Sequence, residues 1–256
     1  MIDTHTHLFL PEFSEDIEAT LQRAHQQGVS KFLLPNVDLD TIAPMHALVD
    51  QYPLTCFPMM GLHPCSVTEK LEQDLAIMKS WFSKRKYCAV GEIGIDLYWD
   101  KSTLELQKKA FTVQIEWAKE LGLPVVIHVR DAFDETLALV DKLNDERLTG
   151  VFHCFTGSIA QAHHIISYGN FKLGIGGVIT FKNSGLDQVI KEIDAKHLVL
   201  ETDSPYLAPV PYRGKRNESA YLHLIAQKIA DIKDVSLDEV IQTTTSNALA
   251  VFSTVK

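Results

Sequence analysis

Histidine and carboxylate residues stand at the ends of several short apolar runs of this chain, where they could bind a metal ion. Five of the eleven histidines do so, together with three carboxylates: His5, His7, His63, His128, His153, Glu92, Glu201 and Asp203. The other six histidines lie in polar helical stretches or at the start of an apolar run, and we interpret them as solvated or capping residues. A buried imidazole or carboxylate is unfavourable without a partner, and a divalent cation is the simplest partner that several of them could share.

Six of these residues form the predicted metal-ligand set, namely His5, His7, Glu92, His128, His153 and Asp203. His5 and His7 are two residues apart on a strand, so their side chains share one face and can reach the same ion. Six ligands exceed one tetrahedral site, which predicts two divalent ions with Glu92 between them. Zinc, manganese and magnesium remain open, because imidazole favours the first two and phosphoryl chemistry often uses the third.

A structural metal site is the alternative interpretation of this ligand set. Structural zinc sites are usually closed, rich in thiolates and built on local loops. The six ligands predicted here follow five different apolar runs spread over some 200 residues. This distribution favours a catalytic site.

Eight short apolar runs, separated by amphipathic stretches of helical length, must position these side chains. The runs are residues 2–7, 31–37, 55–61, 88–91, 125–128, 151–153, 171–174 and 197–201. The helical stretches are residues 14–27, 40–51, 68–84, 103–121, 131–145, 158–168, 184–193, 218–230 and 236–252. This alternation predicts an α/β fold, a parallel eight-stranded (β/α)8 barrel with an extra C-terminal helix, in which all the strand ends share one rim. A doubly wound open sheet is the runner-up.

The composition is that of an ordinary globular chain, with 256 residues, 46% hydrophobic residues, 22% charged residues and a formal net charge of −9. We expect one domain over residues 1–256, because no linker or shift in composition divides the chain. The acidic balance argues against a generic nucleic-acid coat protein. No run approaches the ~20 apolar residues of a membrane span, and the first residues do not form a signal peptide.

The four cysteines, Cys56, Cys65, Cys88 and Cys154, form no C-x-x-C pair. We expect reduced thiols in a cytoplasmic protein, since a chain of this size does not need disulfides for stability. A secreted protein with two disulfides is the alternative.

The ordered motifs of the chain resemble the TatD family of metal-dependent deoxyribonucleases, within the amidohydrolase-like superfamily. The motifs are IDTHTH at 2–7, GLHP at 61–64, VGEIGID at 90–96, IHVRDA at 127–132, FHCFTG at 152–157, LETDSPY at 200–206 and PYRGKRNE at 211–218. They span residues 1 to about 250 and suggest a YjjV-like bacterial branch. The resemblance implies a TIM barrel, a two-metal site held by the six ligands above, and hydrolysis of phosphodiester bonds in DNA.

Two segments depart from the pattern of this family. Some members read GLDYY where this chain has GIDLYW at 94–99, and many read RNEP where it has RNES at 216–219, including Ser219. Neither departure changes a predicted metal ligand. The second lies in the expected substrate loop, so it puts the substrate preference in question but not the hydrolysis.

The resemblance leads to a mechanism in which a hydroxide held by the two metals attacks phosphorus. Asp203 is the candidate acceptor of the water proton, with a role as ligand alone as the alternative. His63 would bind a phosphate oxygen or protonate the leaving group, unless it merely packs beside Pro64. We expect Glu201 to orient a histidine ligand from behind.

Basic residues at the expected mouth of the barrel predict contacts with a nucleic-acid backbone. Arg130 would bind phosphate oxygens, with pairing to Asp131 or Asp134 as the alternative. The predicted substrate contacts after the last strand are Arg213, Lys215, Arg216 and Asn217, although a charged run can also be a solvated face. We expect a monomer that binds DNA weakly, in a salt-sensitive manner and without sequence specificity.

Four aromatic residues near this rim, Tyr98, Trp99, Tyr206 and Tyr212, could stack on the bases of a single strand, although most aromatic residues belong to a core. Two other functions stay open on the same scaffold. One is hydrolysis of a small ester, lactone or amide, and the other is a binding protein without catalysis. The basic run favours DNA, and the presence of all six ligands argues against a non-catalytic protein.

Overall fold

A computed structural model describes residues 1–255, and its centre is a closed barrel of eight parallel strands. The strands are β1 (Ile2–Asp3), β2 (Lys31–Pro35), β3 (Cys56–Met59), β4 (Val90–Asp96), β5 (Val125–Arg130), β6 (Gly150–Phe152), β7 (Phe171–Ile175) and β8 (Leu198–Leu200). They form a three-stranded and a five-stranded part. Two parallel bridges, Met59 with Ala89 and Thr6 with Ser204, join these parts, so the barrel predicted from the sequence is confirmed and the open sheet is excluded.

Helices surround the barrel and alternate with its strands. Within the described residues they are α1 (Ile17–Gln26), α2 (Ile42–Gln51), α3 (Leu71–Trp81), α4 (Leu104–Leu121), α5 (Phe133–Leu143), α6 (Ile159–Ser167), α7 (Leu186–Glu192), α8 (Leu222–Lys233) and α9 (Leu237–Val251). The first helix begins three residues later than the sequence predicts, because Pro11 starts a separate 3-10 turn over Pro11–Phe13. None of these helices combines the length and the apolar character needed to cross a bilayer.

The strands are buried on both faces, which explains why their sequences are almost uniformly apolar. Inside the barrel, Leu33, Met59, Val126 and Val199 form a cluster that continues to Phe252 just after α9. The outward-facing side chains of the strands join a larger cluster with the helices. The extra C-terminal helix thus contributes to the closed end of the barrel interior and leaves the opposite end for the polar residues.

Two strands differ from their predicted bounds in a way that changes the site. β1 stops at Asp3, so His5 and His7 lie in the segment that follows it, which bends at Thr4 and His5, and not within the strand. β4 runs to Asp96 rather than ending near Gly91, which places Glu92 inside the strand and Asp96 at its end. β4 stays paired with β5 up to Asp96, opposite Arg130, whereas the segment after β1 has an isolated bridge from Thr6 to Ser204.

Candidate metal centre

Backbone hydrogen bonds between the first and last strand segments position His5, His7 and Asp203. The amide of Asp203 donates to the carbonyl of His5 at 2.9 Å, and the amide of His7 donates to the carbonyl of Ser204 at 2.8 Å. The buried carboxylate of Asp3 also joins the two segments, because it accepts hydrogen bonds from the amide and the hydroxyl of Thr202, at 2.9 and 2.6 Å. Asp3 lies in the IDTHTH motif, but the sequence analysis did not single it out as a residue that joins these segments.

Glu92 lies at the centre of the cluster, with its two carboxylate oxygens facing different histidines. Oε2 lies 3.1 Å from Nε2 of His5 and 3.7 Å from Nε2 of His7. Oε1 lies 2.8 Å from Nδ1 of His128 and 2.8 Å from Nε2 of His153. On the His7 side, Oδ1 of Asp203 lies 3.4 Å from Nε2 of His7. The structure therefore brings all six predicted ligands together.

The donor atoms of this cluster fit divalent cations. Three groups of nitrogen and oxygen donors converge: His5 with Glu92 and His153, His5 with His7 and Asp203, and His63 with Glu92 and His128. His5 is fully buried, and its Nε2 faces Nε2 of His7 at only 3.3 Å. Converging lone pairs and carboxylates in a buried cluster are stabilised by a shared cation.

The protonation states of His5 and Glu92 suit a cation, whereas His128 and His153 would have to release a proton to bind one, because neighbouring carboxylates raise their pKa against the effect of burial. Burial lowers the pKa of His5, which favours the neutral imidazole. Burial opposes ionisation of Glu92, but the surrounding histidines, His153 and His5 foremost, outweigh it and hold the pKa of this carboxyl well below its usual value. Neutral imidazole and ionised carboxylate are the forms that bind metal ions.

Asp96 is a site residue that the sequence analysis missed. Its Oδ2 lies 2.9 Å from Nε2 of His128, and its Oδ1 accepts a hydrogen bond from the amide of Tyr98 at 2.9 Å. The period of two along a strand could have revealed it, since positions 92, 94 and 96 share one face. Gly94 lies between the two carboxylates, where a Cβ would overlap the carbonyl of His128.

His63 lies at the edge of the cluster, and its hydrogen bonds define its tautomer. Its Nδ1 accepts a hydrogen bond from the amide of Cys65 at 3.1 Å, so the proton of the neutral ring is on Nε2. That nitrogen lies 3.4 Å from Oε1 of Glu92. Burial lowers the pKa of His63, which keeps the ring neutral. The structure thus places a neutral N–H donor beside the predicted ligands.

Glu201 lies behind His153, on the side away from Glu92. Its Oε1 accepts a hydrogen bond from the amide of Cys154 and lies 3.5 Å from Nδ1 of His153. The carboxylate is fully buried, and it fits only because residue 174 is a glycine, where a Cβ would overlap Oε2. The ring of His153 stacks on that of His5 at 3.7 Å, so Glu201 and His5 confine it from two directions.

The predicted substrate-binding residues separate into two groups in the structure. The guanidinium of Arg130 lies 3.7 Å above the ring of Tyr98, and that of Arg213 lies 3.6 Å above the ring of Phe181. Neither arginine forms an ion pair within residues 1–255, and Lys215 is exposed. These three cations are available at the rim, and the alternative in which Arg130 pairs with Asp131 or Asp134 does not occur.

Arg216 and Asn217 are bonded to other parts of the protein, and their role as substrate contacts stays a prediction. Arg216 donates two hydrogen bonds to the carboxylate of Asp16, at 2.7 and 2.8 Å. The amide of Asn217 is buried and donates to the carbonyls of Thr202 and Tyr206, at 2.7 and 2.6 Å. Both side chains hold the loop after β8 in place.

The cysteines, and most of the histidines outside the cluster, have the environments predicted from the sequence. All four cysteines are free thiols, so the described residues contain no disulfide. His46 is an exception among the histidines interpreted as solvated or capping, because it is buried with its Nε2 2.9 Å from the hydroxyl of Tyr87.

Comparisons with known proteins identify the family of this chain. The family model described as TatD related DNase matches residues 2–253. YabD of Bacillus subtilis, named an uncharacterized metal-dependent hydrolase, is 37% identical over 98% of each chain. The 3'-5' ssDNA/RNA exonuclease TatD of Yersinia pseudotuberculosis is 32% identical over 98% of this chain and 99% of the relative.

A solved structure extends the similarity to the fold. The crystal structure of YjjV, a TatD homologue from Escherichia coli, superposes with a TM-score of 0.93 at 32% identity, covering 99% of this chain and 98% of that one. The chain therefore belongs to the TatD family of metal-dependent hydrolases.

Proposed function

We propose that this protein is a deoxyribonuclease that hydrolyses phosphodiester bonds at single strands or 3′ ends of DNA, with residues 1–256 acting as one domain. The observation that carries the proposal is the position of Glu92, whose two oxygens face two different groups of histidines. The family membership and the name of the Yersinia relative, an exonuclease of single strands, give independent support.

Two divalent ions would be held on the two sides of Glu92. His5, His7 and Asp203 would hold the first. His128 and His153, whose Nδ1 and Nε2 lie 3.3 Å apart, would hold the second, with zinc, manganese or magnesium as the candidates. A divalent cation bound there lowers the pKa of water and neutralises charge on the phosphoryl oxygens.

The residues of the chain supply the remaining steps of the reaction. The side chain of Asp203 is 15% exposed, so it can accept the proton of an attacking water at the open side of the cluster. His63 donates its Nε2 proton to a phosphate oxygen or to the leaving oxygen. Arg130 binds the non-bridging oxygens of the substrate through its guanidinium.

Release of nucleotides from labelled single-stranded DNA, measured with Mg²⁺, Mn²⁺ or Zn²⁺, tests this proposal. We expect cleavage with at least one metal, and loss of more than about 100-fold in the variant Glu92→Ala. Glu146→Ala is the matched control, because this exposed carboxylate lies in the loop between α5 and β6, at the opposite end of the barrel. Failure to cleave DNA with any metal, combined with turnover of esters, lactones or amides, would contradict the proposal.

A further inference from the structure

An exposed shelf of two aromatic rings and one cation lies beside the metal centre. It consists of Tyr98, Trp99 and Arg130, and we call it the aromatic shelf. The guanidinium of Arg130 lies 3.7 Å from the ring centre of Tyr98 and 5.5 Å from that of Trp99. Tyr98 is 52% exposed and Trp99 is 72% exposed, so the rings do not belong to the core. Exposed large rings at the rim of a site indicate a binding surface.

Short-range bonds fix the aromatic shelf relative to the metal centre. Asp96 bonds His128 through one oxygen and the amide of Tyr98 through the other. The amide of Leu97 donates to the carbonyl of Arg130 at 2.9 Å, which ties the two strand ends together. Since Arg130 also follows His128 by two residues, a ligand on the shelf would lie next to a group bound at the centre.

The charge of Arg130 is available to a ligand. Its guanidinium makes no hydrogen bond or ion pair with the part of the chain that the structure describes, in contrast to Arg216 on Asp16. The ring of Tyr98 covers one face of the guanidinium and leaves its N–H edges open. Such an edge binds an anion through two parallel hydrogen bonds.

A groove of about 720 Å³ opens beside the shelf, between the loops that follow β5 and β6. Three carboxylates, Asp131, Asp134 and Glu135, line it together with Arg130 and Tyr98. These carboxylates repel phosphate, so an anion can bind only at the Arg130 edge. The rings and the groove therefore suit a ligand with a flat, uncharged part and a single nearby phosphate.

We propose that the aromatic shelf binds one nucleotide of a single-stranded polynucleotide, next to the linkage that is cleaved. The base stacks on Trp99, and Arg130 binds the phosphate of that nucleotide. This inference rests on the proposed function and adds the requirement for a single strand, because paired bases have no free face to offer. It also predicts little sequence preference, since every base has a face that can stack.

Tryptophan fluorescence with phosphorothioate-linked oligothymidylate, which resists hydrolysis, tests the shelf directly. Trp99 is exposed, Trp81 half-buried and Trp117 buried, so stacking on Trp99 should quench the emission. We expect Trp99→Ala to remove this quenching and to weaken binding about 5- to 150-fold, and Trp99→Phe to keep most of the affinity. An oligomer of the same length without bases should bind Trp99→Ala and the unaltered protein equally.

Leu54→Ala serves as the control variant, because Leu54 is 82% exposed and precedes β3 at the opposite end of the barrel. It should leave quenching and affinity unchanged. Unaltered affinity in Trp99→Ala, or equal affinity for duplex and single strand, would overturn the proposal that the aromatic shelf binds a nucleotide.

The binding experiment separates the shelf from the proposed function. If oligothymidylate binds in a Trp99-dependent manner but no DNA is cleaved, the proposed function is contradicted while nucleotide binding at the aromatic shelf is supported. If Trp99→Ala cleaves single strands with the KM of the unaltered protein, nucleotide binding at the aromatic shelf is refuted while the proposed function is supported.

Discussion

The carboxylate of Asp96 and the ring of His128 form a hydrogen bond on the side of the ring that faces away from Glu92. Oδ2 of Asp96 lies 2.9 Å from Nε2, while Oε1 of Glu92 lies 2.8 Å from Nδ1. Both ring nitrogens thus face a carboxylate, and Asp96 and Glu92 raise the pKa of His128 against the effect of burial. When a cation takes the place of the Nδ1 proton, Asp96 holds the remaining ring proton at Nε2. The Nδ1 lone pair is then directed at the centre of the cluster. Asp96 thus selects the tautomer in which His128 can bind a cation through Nδ1.

Replacing Asp96 by asparagine should weaken metal binding while preserving the fold. The asparagine can still accept from the amide of Tyr98, but its NH₂ group would donate to Nε2 of His128 and move the ring proton to Nδ1. We expect metal affinity to fall about 10- to 100-fold, measured by titration against a chromophoric chelator.

Asp100→Asn is the control for this experiment, because Asp100 lies four residues further on and its carboxylate bonds to Ser102 and not to the cluster. It should bind metal as the unaltered protein does. Metal affinity that is unchanged in Asp96→Asn would show that His128 binds no metal through Nδ1.

His63→Ala should separate catalysis from metal binding. Because His63 presents a proton on Nε2, it acts as a donor and not as a ligand, so the variant should retain its metal content by elemental analysis. Its kcat on single-stranded DNA should fall about 10²- to 10⁴-fold. A parallel loss of metal would instead make His63 a ligand of the third donor group.

Gly174→Ala should destabilise the protein by displacing Glu201. The added Cβ would overlap Oε2 of the buried carboxylate, and a misfit of this kind costs about 1–3 kcal/mol. Gly176→Ala is the matched control, because its Cβ would lie 3.7 Å from the nearest atom, the carbonyl oxygen of Glu201. Thermal unfolding of the two variants compares them, and equal melting temperatures would contradict the argument.

The pairing of Asp16 with Arg216 should make the free energy of unfolding depend on pH in the acidic range. Arg216 foremost, with Arg23, holds the pKa of Asp16 well below its usual range. The folded carboxyl therefore stays ionised where the unfolded one takes up a proton, so its contribution is complete above pH about 4 and is lost as the pH falls further.

In Asp16→Asn, we expect the free energy of unfolding at pH 7 to drop by at most about 1 kcal/mol, because the pair is partly exposed. The difference from the unaltered protein should shrink towards pH about 2, as followed by urea denaturation. Glu15→Gln provides the control, since the neighbouring Glu15 is exposed and forms no ion pair within residues 1–255. A difference that grows in acid would reverse the assigned sign.

The sequence predicted the barrel and the six residues that converge at its rim because both depend on local patterns. Apolar runs mark the buried strands, and a polar residue at the end of such a run must face the shared rim. Asp96 was not predicted as a site residue, because β4 extends beyond the apolar run that marks it and Asp96 lies at the true end of the strand. Because β4 contains Glu92 and two glycines, the hydropathy of its sequence does not reveal where the strand ends.

The partners of Arg216 and Asn217 could not be predicted from local patterns. Their partners, Asp16 and the carbonyls of Thr202 and Tyr206, are set by tertiary structure, and Asp16 is 200 positions away in the chain. Arg213 and Arg216 look alike in the sequence, yet one stacks on a ring with its edges open and the other is held by a carboxylate. Only the fold distinguishes a paired cation from an available one.

The hydrogen bond from the amide of Asp203 to the carbonyl of His5 has a consequence for biosynthesis. A chain still on the ribosome that has emerged only through β7 contains His5, His7, Glu92, His128 and His153, but its barrel is open and it lacks Asp203. Closure of β8 onto β1 completes the barrel and the cation site in the same event. We therefore expect a growing chain to acquire hydrolytic activity only after almost all of it has been synthesised.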